Sequence, residues 1–329
     1  MPETFKAILV SRDDSKKQSV NVVEMTDRDL MDGDVTIKVE HTTVNYKDGL
    51  AITGKAPVIR RWPMIPGIDL AGTVLSSESA EWQAGDKVVL NGWGVGEGHY
   101  GAYAGHARLN GQWLIAQPDG LSGHDAMAVG TAGYTAMLCV MALEQQGVKP
   151  SSGPVLVTGA AGGVGSIAIA ILAKLGYHVI ASTGRVSESD FLTSLGAHEI
   201  IDRAELSEAG KALGKERWAA AIDTVGSHTL ANVLAMTAYN GTVAACGLAQ
   251  GMDLPATVAP FILRGVTLRG VDSVMVARSI RIAAWKRIAV DLPMEKLGAI
   301  STTIGFEDLI EAGHAIVAGQ VRGRIVADF

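Results

Sequence analysis

Two stretches of the sequence pair residue types with a spacing that can do chemistry: TGAAGGVG at 158–165 and STGR at 182–185. The first follows an apolar run, VLV, and opens a helix-forming run, SIAIAILAKLG. A strand, a Gly-rich turn and a helix in that order let backbone amides approach a pyrophosphate, while the helix N-terminus supplies unpaired N–H groups and a positive dipole. A side chain at Gly162 would obstruct that approach, and one at Gly165 would push the helix off the strand; Ala161, Gly163 and Val164 complete the cradle. Ala160 stands where the strict GxGxxG pattern has its first glycine. The plainer reading is a tight turn with no ligand. An acid usually stands about 20 residues beyond such a turn and holds the adenosine ribose. Here the loop reads Ser182, Thr183, Gly184, Arg185, with two hydroxyls, a guanidinium and no carboxylate. That favours a 2′-phosphate, and so NADPH. The alternative makes Arg185 a surface cation and gives the ribose to Glu188.

A second set of candidates can polarise or protonate a substrate. In NYKD, Asn45 and Tyr46 can each donate a hydrogen bond, and Tyr46 can also deliver a proton. The alternative reading has Asn45 shape a turn, and Asp48 is read as the cap of the helix that follows. Asp69, in PGID, is either a cleft-facing acid or a hydrogen-bonded one fixing its loop. His99 and Tyr100, in GEGHYG, form a mobile rim or an ordinary surface turn. No metal is expected: there is no Cys-rich cluster, residues 63–74 hold neither Cys nor His, and His41, His99 and His106 are scattered.

These residues need elements to hold them. Up to about residue 120 short β runs (KAILVS, DVTIKVEHTTV, LAGTVLSS, DKVVLNG, WLIAQP) are broken by Gly, Asp and Pro, which predicts a compact, mainly β domain. Beyond Gly130, β and helical runs alternate, which predicts a parallel sheet covered by helices. Six strands are countable, at 155–158, 178–182, 199–202, 220–226, 242–248 and 267–273, the complement of a Rossmann sheet. Val225, Gly247, Leu248 and Ser273 fall at the ends of the last three, where open α/β sheets bind ligands. ARSIRIAAWKRIAVDL reads as a helix, and the tail ends in a strand-like GRIVADF that returns to the first domain. The expected division is a β domain over 1–124, a Rossmann domain over 125–291 and a return over 292–329.

The 329 residues, 48% hydrophobic, suffice for two cores. A net charge of −6 gives no basic field to gather nucleic acid. Cys139 and Cys246 make no disulfide framework, and Cys246 is read as a small buried hydrophobe. With no signal-like N-terminus and its most apolar stretch about half a membrane span, the expectation is a cytoplasmic protein that binds no membrane.

NYKDGLAITGK, PMIPGIDLAGTV, GDKVVLNGWGVGE, GTAGYTAMLCVMALE, TGAAGGVG and PFILRGVTLRGVDS together resemble the zinc-free quinone oxidoreductase branch of the medium-chain dehydrogenase/reductases, in particular its YhdH/AcuI-type NADPH-dependent acrylyl-CoA reductases. The resemblance covers essentially the whole chain. It implies an α/β fold, with a six-stranded Rossmann domain and a discontinuous GroES-like catalytic domain enclosing a cleft, and homodimers. It implies reduction of the conjugated double bond of acryloyl-CoA to propanoyl-CoA, with Tyr46 and Asn45 beside the nicotinamide and Arg322 in the cleft. An acyl-CoA needs cations for its phosphates; Arg60 and Arg61 are the first candidates, then Arg264, Arg269 and Arg278. Two other readings stand beside it: a quinone or free-enone reductase of the same fold, and an NADPH-binding sensor without catalysis.

Overall fold

The computed structural model describes residues 3–329. In chain order, β1 (Thr4–Arg12), β2 (Gln18–Thr26) and β3 (Val35–Thr43) lead to α1 (Tyr46–Thr53); β4 (Asp69–Ser77), β5 (Lys87–Asn91), β6 (His106–Leu109) and β7 (Ile115–Ala116) follow, then the long α2 (Gly123–Gln145). Next come β8 (Val155–Val157), α3 (Gly163–Lys174), β9 (Val179–Thr183), α4 (Ser189–Leu195), β10 (Glu199–Asp202), β11 (Trp218–Asp223), α5 (Ser227–Met236), β12 (Thr237–Ala245), α6 (Ala259–Arg264) and β13 (Thr267–Gly270). The chain closes with α7 (Arg278–Asp291), α8 (Leu297–Ile300), β14 (Ser301–Gly305), α9 (Leu309–Val317) and β15 (Arg324–Asp328).

Two compact units result. The first takes the chain up to Thr131, Ser273–Trp285 and Ser301–Phe329; the second takes Ala132–Asp272 and Lys286–Ile300. The chain therefore crosses between the units at Thr131/Ala132, Asp272/Ser273, Trp285/Lys286 and Ile300/Ser301, where the expected division has crossings at 124/125 and 291/292, and Ser273 belongs to the first unit.

In the first unit a seven-stranded sheet runs β14-β15-β3-β4-β5-β7, with β6 paired to β3 and a separate β1–β2 hairpin. Alternation in β3 places Val35, Ile37 and Val39 in a core with Leu70, Val74, Val88 and Leu90. The tail does return: β15 pairs antiparallel with β3 through Val326↔Thr43, Ala327↔Thr42 and Asp328↔His41. β2 and β6 were not among the expected strands.

The second unit holds six parallel strands in the order β10-β9-β8-β11-β12-β13. This is the doubly wound Rossmann order. Because helices cover both faces of such a sheet, its central strands are apolar on both sides; VLV of β8 is fully buried. The last strand is shorter than the sequence suggests, ending at Gly270 rather than Ser273. The apolar α2 is longer than the expected longest apolar run, and it is a core helix by burial. Gly130 interrupts it with φ 50° and ψ −161°.

Candidate active site

In the second unit, β8 runs into the Gly-rich turn. Gly159 takes the left-handed region at φ +59°, and a Cβ there would lie 2.2 Å from the Thr224 hydroxyl oxygen. The glycine this turn requires is therefore Gly159, one place before Ala160. The buried Ala160 instead donates its N–H to the Ser182 carbonyl at 3.0 Å. Gly162 is the N-cap of α3 and no side chain caps that helix, so its first N–H groups have no intrahelical acceptor. A Cβ at Gly165 would sit 2.4 Å from the Gly159 carbonyl oxygen. The result is a cradle of bare backbone at a positive helix end, the arrangement a pyrophosphate fits.

At the end of β9, Ser182 and Thr183 are buried, and the Thr183 hydroxyl accepts the Arg185 N–H at 3.0 Å. The half-buried Arg185 turns back over the Gly-rich turn, donating from Nη2 to the Ala161 carbonyl at 3.4 Å. Gly184 is pressed against Arg203, whose Nε would lie 2.4 Å from a Cβ placed there. Arg203 follows β10, and the pairing Asp202↔Thr183 brings it to this loop. Sequence reading passed over it; knowing which strand neighbours β9 was the missing signal. Two guanidiniums on one loop suit a phosphate monoester. Glu188, the rival reader of the ribose, is half-buried and donates its N–H to the Arg185 carbonyl at 2.9 Å.

Behind the strand ends sits Asp223, fully buried. It accepts from the Thr158 hydroxyl at 2.7 Å, the Gly226 N–H at 2.8 Å and the Val225 N–H at 3.3 Å. Burial raises its carboxyl above the usual range, against those three hydrogen bonds. Val225 is held on the other side too, accepting the Gln250 N–H at 2.8 Å. Gly247 follows β12 so close to the chain that a Cβ would lie 2.3 Å from the Thr224 carbonyl oxygen, and Leu248 beside it is exposed.

In the first unit a buried polar network surrounds the start of α1. Asn45 donates its side-chain amide to Asp69 at 2.9 Å and to Asp48 at 3.1 Å, and its amide oxygen accepts from Arg324 at 3.2 Å. Both amide hydrogens are thereby used, so Asn45 has none left for a substrate carbonyl, contrary to the expectation from NYKD. Asp48 also accepts the Asn45 N–H at 2.9 Å, closing the first turn as expected, and the N–H groups of Ile68 and Gly67 at 3.1 and 3.2 Å. Its carboxyl is raised to about 7 by burial, with the charge of Asp69 adding to it. Asp69 is a hydrogen-bonded acid: besides Asn45 it accepts from Asn91 at 2.9 Å, the Thr131 N–H at 2.8 Å and, closely, the Thr131 hydroxyl. Arg324 donates to the Thr43 hydroxyl at 2.7 Å and the Ala128 carbonyl at 3.1 Å. The first residue of α1 after this network, Tyr46, is 44% exposed.

Several expected contributors lie elsewhere. Arg322 is exposed, and the arginine that enters the network is Arg324, two residues on in β15. His99 is held at both ring nitrogens, against the Tyr100 and Asp32 carbonyls at 3.2 and 3.0 Å, with Trp113 edge-on. Tyr100 packs on the apolar core around Phe5 and Met64, so neither is a mobile rim. Arg60 pairs with the buried Glu97 at 3.4 Å, alongside Lys47 at 2.8 Å; Arg61 is exposed. Arg264 is spent on the Ala235, Thr237 and Gly214 carbonyls, and Arg278 on Leu114 and Glu81. Arg269 is exposed on β13, and the half-buried Ser273 accepts from Arg281 at 3.5 Å.

The donors available around Asp48 and Asp69 do not suit zinc. Neither thiolate nor imidazole belongs to the network, the oxygens of both carboxylates are taken by N–H and O–H donors, and no cluster of metal-ligating side chains occurs among the described residues.

Residues 163–292 match the family described as zinc-binding dehydrogenase, and residues 31–145 the alcohol dehydrogenase GroES-like domain. An acrylyl-CoA reductase, AcuI, from Ruegeria pomeroyi is 53% identical over 326 residues, which is 98% of this chain and 99% of the relative. The crystal structure of the yhdH oxidoreductase from Salmonella enterica in complex with NADP superposes with a TM-score of 0.96 at 51% identity, covering 98% and 99% of the two chains. That of Bacillus subtilis yhfP with NAD bound gives 0.95 at 42% identity, covering 99% and 100%.

Proposed function

The chain belongs to the medium-chain dehydrogenase/reductases, and from that premise we propose that it reduces the conjugated C=C bond of acryloyl-CoA to propanoyl-CoA with NADPH. The observation that carries this is identity of 53%, end to end, with an acrylyl-CoA reductase. The relatives' structures hold NADP in one case and NAD in the other, so the choice of dinucleotide rests on this chain's loop. Arg185 and Arg203 there favour NADPH.

When bound, NADPH supplies a hydride from its C4 to the β carbon of the enoyl group. As the hydride arrives, negative charge builds on the thioester oxygen, and the α carbon then needs a proton. Asn45 has no donor left, so it acts as a brace: three hydrogen-bonded partners fix the turn from which Tyr46 projects. Tyr46 is the hydroxyl donor we assign to the reaction, as hydrogen-bond donor and as proton source directly or through water. With Arg60 tied to Glu97, Arg61 is the better cation for a CoA phosphate. The same reading makes the protein a cytoplasmic homodimer.

One observation keeps a second reading in view. Of the five cations considered for CoA, three are spent on internal carbonyls or carboxylates, and a quinone or free enone needs no such anchors. The test is steady-state oxidation of NADPH and of NADH with acryloyl-CoA, its pantetheine-truncated thioester and a quinone. Preference for NADPH and for the full CoA ester is expected. Substituting Arg185→Ala is expected to raise the NADPH KM by about 10- to 100-fold, the loss of one or two charge-assisted hydrogen bonds, and to leave NADH nearly unaffected. Equal efficiency with the truncated thioester or the quinone would move the second reading to the front. Tight NADPH binding without turnover would make the protein a sensor.

A further inference from the structure

In the six-stranded sheet β8 and β11 are neighbours, and the chain leaves them in opposite directions: β9 and β10 lie beyond β8, β12 and β13 beyond β11. Such a reversal opens a crevice at the carboxyl ends of the two strands, where a dinucleotide sits in folds of this class. The pairing Val157↔Ile222 sets Thr158 beside Asp223 at its base. Thr158 leads into the Gly-rich turn, and Asp223 into the turn at 224–226. Both side chains are fully buried.

A closed set of hydrogen bonds joins the two turns. The Thr158 hydroxyl donates to Asp223 Oδ1 at 2.7 Å and accepts the Thr224 N–H at 3.0 Å. The Thr224 hydroxyl donates back to the Thr158 carbonyl at 3.0 Å. Asp223 Oδ2 accepts the Gly226 and Val225 N–H groups at 2.8 and 3.3 Å, and Gly226 is in the left-handed region at φ +75°. A buried network whose members are all satisfied rigidifies what it joins. What it joins here is the cofactor cradle: the Gly-rich turn rests on Thr224, whose hydroxyl would lie 2.2 Å from a Cβ on Gly159. The loop after β12 follows the same acid, because the Asp223 carbonyl accepts the Cys246 N–H at 2.9 Å and the Val225 carbonyl accepts the Gln250 N–H at 2.8 Å.

We propose that Thr158 and Asp223 are positioning residues for the dinucleotide: they hold the Gly-rich turn and the 224–226 turn at one spacing, so that the amides facing the pyrophosphate are in place before it binds. They act through the backbone of the two turns. A site ordered in advance spends less of its binding energy on fixing loops, so cutting the tie weakens binding even though every group in contact with the cofactor remains. The proposal rests on the reading of this crevice as the NADPH site and names the side chains that shape it. Thr158→Val keeps the branched shape and removes the hydroxyl, while Asp223 retains its two N–H donors. Asp223→Asn has one acceptor oxygen where two stood, so donors on one side lose their partner.

The test needs no acyl substrate. The full-length protein and the two variants are titrated by fluorescence with NADPH and with NADH, and with adenosine 2′-phosphate by competition. Each variant should raise the Kd of both dinucleotides by the same factor, about tenfold, because the pyrophosphate is common to them. Adenosine 2′-phosphate lacks the pyrophosphate and is held by Arg185 and Arg203, so its Kd should stay within about twofold. The double variant should lose about as much as either single one, since both cut the same link. A wrong choice of cofactor shows separately, as equal Kd values for NADPH and NADH in the unaltered protein. If the variants do not fold, hydrogen exchange in the unaltered protein decides: NADPH should protect the amides at 224–226 together with those at 159–165. Unchanged dinucleotide affinity, equal weakening of adenosine 2′-phosphate, or protection confined to the Gly-rich turn would overturn the proposal.

Discussion

Asp48 shows what burial does to an acid even when donors surround it. Its oxygens accept from Asn45, Gly67 and Ile68, contacts that lower a carboxyl's pKa, yet burial beside Asp69 raises it from 3.8 to about 7. In the unfolded chain it returns toward its ordinary value. Between the two pKa values the folded state therefore holds more protons than the unfolded one. The stability it contributes is fully present below pH 4 and is lost as pH rises through 7. The unfolding free energy of Asp48→Asn should accordingly fall less steeply than that of the unaltered protein from pH 4 to pH 7, by on the order of 1–4 kcal/mol. Urea unfolding at a series of pH values checks this, and parallel curves would refute the shift. Tyr46 makes the complementary prediction. Removing its hydroxyl in Tyr46→Phe should lower kcat for acryloyl-CoA by roughly 10²-fold, while NADPH affinity, measured directly, stays within about threefold because the phosphate cradle is untouched. An unchanged kcat would assign the proton to solvent. The cap at Asp48 was legible in NYKD because it is local. The use of both Asn45 hydrogens was not, since Asp69 and Arg324 reach it from distant parts of the chain.

At the scale of elements, legibility follows burial pattern. The central strands of the parallel sheet are buried on both faces and β runs alternate with helical ones, so all six could be counted before their order was known. β2, reading QSVNVVEMT, buries only Met25 fully, so its sequence carries no such run. The kink at Gly130 was hidden for another reason: within GTAGYTAMLCV it reads as an ordinary start of a helix. Its cause is the network. A Cβ at Gly130 would lie 2.4 Å from Arg324 Nη2 and 2.9 Å from Asp69 Oδ2, and φ is +50°. The helix opens here so that Thr131 can turn its N–H and hydroxyl onto Asp69. Gly130→Ala therefore meets both a backbone penalty and a clash with two buried charged groups, and should cost about 3 kcal/mol or more. A midpoint in denaturant within error of the unaltered protein would show that the kink can relax, and that Arg324 is less constrained than its three hydrogen bonds indicate.

For the whole molecule the open question is assembly. β13 is the last strand of the six-stranded sheet and pairs on one side only, with β12. An edge strand of this kind presents unpaired N–H and C=O groups to any second chain. Beside it Val258, Ile262 and Leu263 are 65%, 73% and 62% exposed, on and just before α6. Single exposed apolar residues mean little, but three together beside an open edge form a patch that water covers poorly. A second copy related by a two-fold axis would pair β13 with β13 and bury both patches at once, because such an interface is self-complementary. Light scattering at tens of micromolar should therefore give twice the chain mass of 34.3 kDa. The double substitution Ile262→Lys, Leu263→Asp places charge in the patch without touching the phosphate turn. It should yield monomers that still bind NADPH, since Arg185, Arg203 and the uncapped end of α3 all come from one chain. A monomeric unaltered protein would leave the edge of β13 open to solvent. Loss of NADPH binding in the charged variant would mean that assembly and the cofactor cradle are coupled through β12, whose end carries Cys246 and Gly247.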